Sequence, residues 1–196
     1  VLKFGGTSVG SPERMKKLLN IVNANERQIV VLSAVSGTTN NLVEIGQAYL
    51  ASDKPKATLL IKALKDKYEL FIDELFEEKI YLAQAKEVID YHFDLLHAFS
   101  NDLFTTIEDK VIVAQGELLS TTLYHIYLKQ IGVPSVLLPA LDFMKIDADN
   151  EPIVDYITDH IQPFLDAAPD INLFITEGYI CRNSFGEIDN LRRGGS

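Results

Sequence analysis

Apolar residues follow two rhythms along the chain: short unbroken runs near its two ends and a helical period through its middle. Val1, Leu2 and Phe4 form a first strand-like run that delivers Gly5 and Gly6, and Ser11-Pro12 then supplies an N-cap and a first-turn proline. A helix over about residues 11–25 is predicted next. Gln28-Ile29-Val30-Val31-Leu32-Ser33-Ala34 holds a continuously apolar, largely β-branched stretch, the mark of a strand buried on both faces. Strand, helix, strand in that order requires a crossover, right-handed almost without exception, and so predicts an α/β sandwich around a parallel sheet.

The middle of the chain changes period. After a polar turn at 33–41, Leu42, Ile45 and Tyr49 open a helical pattern. Leu60, Leu64, Phe71 and Leu75 continue it, and a second stripe through Val88, Tyr91, Leu95 and Phe99 predicts two long antiparallel helices between residues 55 and 100. Tyr68, Tyr91 and Phe93 have no basic residues interleaved and read as packing residues, not a stacking platform. A third helix is expected at 111–131, which makes about 55–131 a helical segment. The strand SVLLPA, a less regular stretch from Lys145 to Pro152, a helix at about 153–167 and the strand NLFIT at 172–176 come after it. Gly178 to Leu191 reads as a hairpin turning on Asn183-Ser184-Phe185-Gly186.

Composition narrows the function classes. The 196 residues, 47% hydrophobic, suffice for one sizeable core or one domain plus part of another. No apolar run reaches bilayer-spanning length and no secretory pattern opens the chain, so the expectation is a soluble, cytoplasmic protein without a membrane partner. A formal net charge of −10 argues against a nucleic-acid partner and against anionic lipid. An anionic ligand would have to be met locally, which draws attention to the cations beside glycines: Lys3, Arg192 and Arg193. The single cysteine, Cys181, has no partner for an internal disulfide and reads as a buried structural thiol.

Lys3 ahead of Gly5-Gly6, at the junction of a strand and a helix, can form a phosphate-binding turn: backbone N–H groups and a helix N-terminus hold the anion and lysine adds a full charge. A tight turn with a surface lysine is the alternative. Other constellations fall away. His92, His97, His125 and His160 lack paired ligand spacing and read as surface or helix-face histidines. Asp147 to Glu151 imitates the start of a calcium loop, but Pro152 and Thr158 occupy the glycine and glutamate positions. Neither G-x-S-x-G, a Walker A sequence nor G-x-G-x-x-G occurs. Glu117 stands out, following a glycine that interrupts a helical apolar pattern and bracketed by apolar and small residues that suggest partial burial. It reads either as a helix-terminus carboxylate or satisfied internal acid, or as a carboxylate for a ligand ammonium. Thr39, in the polar loop, reads by itself as a turn or cap residue.

Four separated segments share one resemblance. KFGGTSVG at 3–10, SAVSGTTN at 33–40, QGELLST at 115–121 and TEGYICRNSFGEIDNLRRGGS at 176–196 resemble, in order and spacing, the motifs of aspartate kinases in the amino acid kinase superfamily. The resemblance implies a three-layer α/β/α sandwich with a mainly parallel sheet. It also implies ATP-dependent phosphorylation of the side-chain carboxylate of L-aspartate to 4-phospho-L-aspartate, the first step toward lysine, threonine and methionine. Carried over by position, Lys3 would be the catalytic cation on the ATP phosphates, with Gly5, Gly6 and Ser33 beside it. Thr39, Glu117, Arg193, Gly194, Gly195 and Ser196 would form the substrate site, Glu117 taking the α-amino group and Arg193 a carboxylate. Mg²⁺ is expected with the nucleotide and no protein metal site is predicted; a homo-oligomer is implied for the full-length enzyme.

Departures from the pattern carry their own expectations. Arg192 stands where many members have glycine. The aspartate after GGS, the nucleotide lobe and the regulatory ACT domains of the family are not among the 196 residues. The expectation is therefore an N-terminal, amino-acid-substrate lobe with half of a phosphate site, inactive as a kinase by itself. Kinases of glutamate, acetylglutamate or a nucleotide, or a purely amino-acid-binding module, are the alternatives.

Overall fold

A computed structural model of the chain describes residues 1–22, 25–100 and 103–192. Strand β1 (Leu2–Phe4) leads through the glycine turn to helix α1 (Pro12–Lys17), which Ser11 caps by accepting the Arg14 N–H. A 3₁₀ turn at Leu18–Asn20 ends this helix well short of residue 25. Asn20 and the β-branched Ile21 and Val22 are weak helix formers, so nothing local sustains the longer helix. Strand β2 (Gln28–Leu32) stops two residues before the predicted end, where the chain turns toward α2 (Thr38–Leu50).

Helices α3 (Lys54–Leu75) and α4 (Lys79–Ala98) are the expected antiparallel pair. Their buried stripes lie beside the predicted ones: α3 turns Ala57, Ile61, Leu64, Tyr68, Ile72 and Leu75 inward, and α4 turns Ala85, Ile89, His92, Phe93 and Leu96 inward. Tyr91 is 69% exposed and is no packing residue. His92 is buried against Gln115, 2.6 Å from its amide oxygen, so the surface reading fails for this histidine. Cys181 is buried as expected.

Helix α5 (Thr106–Gln130) begins five residues before the predicted start, because Thr105 and Glu108 form a reciprocal capping box. It is buried on nearly all sides, which explains why its sequence shows no single apolar stripe. Then come β3 (Val136–Leu138), a short α6 (Ala140–Phe143) that begins at the last residue of the predicted strand, α7 (Val154–Asp166) and β4 (Leu173–Glu177). A separate antiparallel hairpin, β5 (Ile180–Arg182) with β6 (Ile188–Asn190), turns through Gly186.

The four-stranded sheet runs β1-β2-β4-β3 and every pairing is parallel. Phe4, Val30, Leu32 and Ile175 face the layer of α1 to α5, while Phe174 and Leu138 face α6 and α7. The result is a three-layer α/β/α sandwich. All four strands end on the same edge, and the loops leaving that edge hold the residues singled out in the sequence.

Candidate functional site

The loops after β1 and β2 meet backbone to backbone. Ser33 donates its N–H to the Phe4 carbonyl at 3.1 Å, and Gly178, after β4, donates to the Leu32 carbonyl at 2.8 Å. A Cβ on Gly6 would lie 3.0 Å from the Ala34 carbonyl oxygen. On Gly116 it would lie 2.9 Å from Ala34 Cβ and 3.3 Å from Thr38 Cγ2. Gly116 therefore does not interrupt α5: the helix runs straight through it, and the missing side chain lets α5 approach the β2–α2 turn.

That approach delivers Glu117. Its side chain is buried, 2% exposed; Oε1 accepts the Ala34 N–H at 3.3 Å, and Oε2 has no hydrogen-bond partner among the described residues. Burial pushes its pKa up to about 7, the Ala34 hydrogen bond pulls the other way, and the nearby Glu177 carboxyl adds to the rise. One turn further along α5, Ser120 donates its hydroxyl to the Ser33 carbonyl at 2.7 Å and Thr121 approaches Glu177 Oε1 at 2.7 Å. Glu117 is thus held between the ends of β2 and β4.

Lys3 is exposed at the middle of the three-residue β1 and pairs in register with Val31, which puts it on the sheet face opposite Phe4. Gly5 is exposed and Gly6 half-buried beside it. Ser33 follows β2 directly and is half-buried. Thr39 belongs to the first turn of α2, not to the loop; Gly37, with φ of +82°, makes the turn that starts this helix. Thr38 beside it shares a 3.0 Å hydrogen bond with the buried Tyr68 hydroxyl. Gly10, Ser36, Gly37, Thr38, Lys67 and Tyr68 border a cleft of about 210 Å³ there. Arg193, Gly194, Gly195 and Ser196 lie outside the described residues. Arg192 is exposed, with its guanidinium 3.6 Å from Glu151.

The sequence reading missed Glu177. This carboxylate is 4% exposed and fully engaged, Oε1 with Thr121 and Oε2 accepting the Ala140 N–H at 2.7 Å. Burial raises its pKa, partly offset by those two hydrogen bonds. Its signal was available: a carboxylate closing an unbroken apolar strand, at the edge where this architecture builds sites. Tyr179 was missed as well. It has a left-handed backbone, φ of +66°, a conformation uncommon for a bulky residue, and Leu191 donates to its carbonyl at 2.7 Å. Burial raises its hydroxyl pKa, and the Glu117 charge adds to that rise more than those of Asp189 and Asp109.

Among the described residues, no cluster of three or more His, Cys, Asp and Glu side chains could hold a metal ion, and no helix is long and apolar enough to cross a membrane. The glycine turn that follows Lys3 and a buried, half-satisfied carboxylate thus both meet the start of the β2–α2 turn at Ala34. A family model for the amino acid kinase family matches residues 1–196. The chain belongs to the amino acid kinase family. Among curated relatives, the aspartokinase of Chlamydia trachomatis is 28% identical across all of this chain and 43% of its own length. Aspartokinase 2 of Arabidopsis thaliana, a chloroplastic protein, is 34% identical across 67% of this chain and 25% of its own length. Among solved structures, E. coli aspartokinase III in complex with lysine and aspartate superposes with a TM-score of 0.77 at 25% identity, covering 99% of this chain and 44% of that one. The amino acid kinase chain described here thus spans less than half the length of these relatives.

Proposed function

We propose that residues 1–196 form the amino-acid-substrate lobe of an aspartate kinase, phosphorylating the side-chain carboxylate of L-aspartate with ATP at the start of lysine, threonine and methionine synthesis. The observation that carries this reading is the buried Glu117 carboxylate with one oxygen unpartnered among the described residues, held at the end of β2 by Ala34, the residue that the glycine turn after Lys3 also approaches. A buried carboxylate of this kind calls for a cation, and the α-ammonium of an amino acid is one. The aspartokinase names of the relatives support the choice of aspartate over other amino acid substrates.

The chemistry asks little of the protein beyond position and charge. The side-chain carboxylate of aspartate, with an ordinary pKa of about 3.9, is already ionised at neutral pH, so no general base is needed. Its oxygen bonds to the γ-phosphorus while the bond to the β–γ bridging oxygen breaks, and ADP takes that electron pair. Lys3 offsets the charge of the phosphoryl group, with Gly5, Gly6 and Ser33 lending donors around it. Glu117 holds the ammonium, Thr39 lies at the same site, and Arg193 to Ser196 carry the substrate carboxylate contacts. Mg²⁺ arrives with ATP and neutralises phosphate charge. Because the chain spans less than half of its relatives, the 196 residues alone are expected to show no meaningful ATP turnover with aspartate.

Titration calorimetry with L-aspartate tests the reading. Binding is expected in the wild-type chain and is expected to weaken at least about 30-fold in Glu117→Ala and in Arg193→Ala, the loss typical of truncating one side of a buried charge pair. Equal binding in all three proteins would remove the site assignment, and robust aspartate-dependent ADP release by the chain alone would remove the assignment of a single lobe.

A further inference from the structure

The Glu177 carboxyl and the backbone of Glu117, both buried, are joined through one hydroxyl. Thr121 Oγ1 lies 2.7 Å from Glu177 Oε1 and 2.9 Å from the backbone carbonyl of Glu117, one helical turn earlier. A threonine hydroxyl carries one proton, so it cannot donate to both at once. When Glu177 is ionised the proton points to Glu177. When Glu177 is protonated, it can donate to Thr121, and Thr121 can turn to the Glu117 carbonyl. The other oxygen of Glu177 accepts the Ala140 N–H at 2.7 Å, at the start of α6, so the same carboxyl also ties β4 to the β3–α6 turn.

We propose that Glu177 is a positioning residue for Glu117: through Thr121 it fixes the turn of α5 that carries Glu117 against the end of β4, and it places a second buried carboxyl behind the first. The inference rests on the reading of Glu117 as the ammonium-binding carboxylate. Glu117 faces the Ala34 N–H of the β2–α2 turn, Tyr68 of α3, Tyr179 after β4, and Glu177; Glu177 faces Thr121, the Ala140 N–H and Asp142 of α6. Among the described residues, none of the charged groups acting on Glu117 or Glu177 is a cation. A pair of carboxyls in such surroundings favours one proton over none, and a ligand ammonium supplies the missing positive charge. Glu177 therefore sharpens the preference of the site for a cationic head group, because the empty site resists holding two negative charges while the occupied one does not.

Glu177→Gln is the decisive variant. Its side chain matches glutamate in shape, can still accept from Ala140 and donate to Thr121, and removes only the charge. With glutamate ¹³C-labelled at its carboxyl, the Glu117 resonance is identified by its loss in Glu117→Gln and followed from about pH 4.5 to pH 9. The wild-type resonance is expected to titrate near pH 7. In Glu177→Gln the midpoint is expected to fall, by less than the rise that burial causes, with the backbone amide spectrum of α5 unchanged. Thr121→Val, which breaks the tie but keeps both carboxyls, is expected to shift α5 amides around Glu117 and to weaken aspartate binding about tenfold. An unchanged Glu117 midpoint in Glu177→Gln, or unchanged α5 amides in Thr121→Val, overturns the proposal. The functional reading stands or falls separately: a shifted midpoint in a protein that never binds aspartate keeps the carboxyl coupling and discards the ammonium site.

Discussion

Glu117→Gln is expected to make the chain more stable at pH 8 and to leave its stability nearly unchanged at pH 5. Glutamine keeps an oxygen for the Ala34 N–H and removes the charge. Burial raises the folded-state pKa of Glu117 to about 7 from an ordinary 4.5, so between those values the folded chain holds a proton that the unfolded chain has released. Stability from this group consequently declines as pH rises through that window and is lowest above pH 7. The span corresponds to a cost on the order of 3 kcal/mol when Glu117 is ionised, and relaxation of the site brings the expected gain at pH 8 to about 1–3 kcal/mol. For a domain of this size that is roughly 2–4 °C in Tm per kcal/mol. Two histidines, one buried and one half-buried, act in the opposite sense: desolvation holds His125 at about 4 and also lowers His92, so both favour the fold less as pH falls below their ordinary value. The wild type is thus expected to be most stable in mildly acidic solution, and Glu117→Gln to extend that plateau upward. Thermal melts of both proteins from pH 5 to pH 8.5 check this. A variant less stable than wild type at pH 8 would show that the Glu117 carboxylate is satisfied within the fold.

Lys3→Met is expected to separate catalysis from folding. Lys3 is exposed at the middle of β1, so its replacement is expected to change stability by no more than about 0.5 kcal/mol. Aspartate binding, assigned to Glu117 in the proposed function, is expected to persist. Phosphoryl transfer, measured in a protein that includes the complete nucleotide site, is expected to fall by about 100- to 1000-fold in kcat, the usual consequence of removing one preorganised charge from a developing anion. The KM for aspartate is expected to stay within about twofold, because uniform binding of the amino acid is untouched. An unchanged kcat would return Lys3 to the role of a surface lysine beside a tight turn.

The sequence made the sheet legible because its strands are unbroken apolar runs with crossovers between them, a pattern that admits few topologies. It made the helix pair between residues 55 and 100 legible too, yet placed the α4 stripe on Tyr91 when the helix buries Ile89, His92 and Phe93. A polar residue at one of the true positions, His92, hid the stripe; tertiary hydrogen bonding to Gln115 supplies what the pattern could not reveal. The α5 boundary was missed because a capping box can extend a helix beyond its apolar period. Glu117 was found by its apolar surroundings, but Gly116 was read as an interruption, since its purpose, contact with Ala34 and Thr38, is visible only in three dimensions. Glu177 went unremarked for a related reason: one acidic residue at a strand end carries no periodic signal, and its importance comes from Thr121 and Ala140, 56 and 37 residues away.

The most direct test of the account is the number of protons exchanged when L-aspartate binds, obtained from calorimetry in buffers of different ionisation enthalpy. If the aspartate ammonium meets Glu117, binding must drive that carboxyl to ionise. The account predicts release of about half a proton per aspartate at pH 7, approaching one near pH 5.5 and none near pH 8.5. Aspartate binding without proton release anywhere across that range would contradict it.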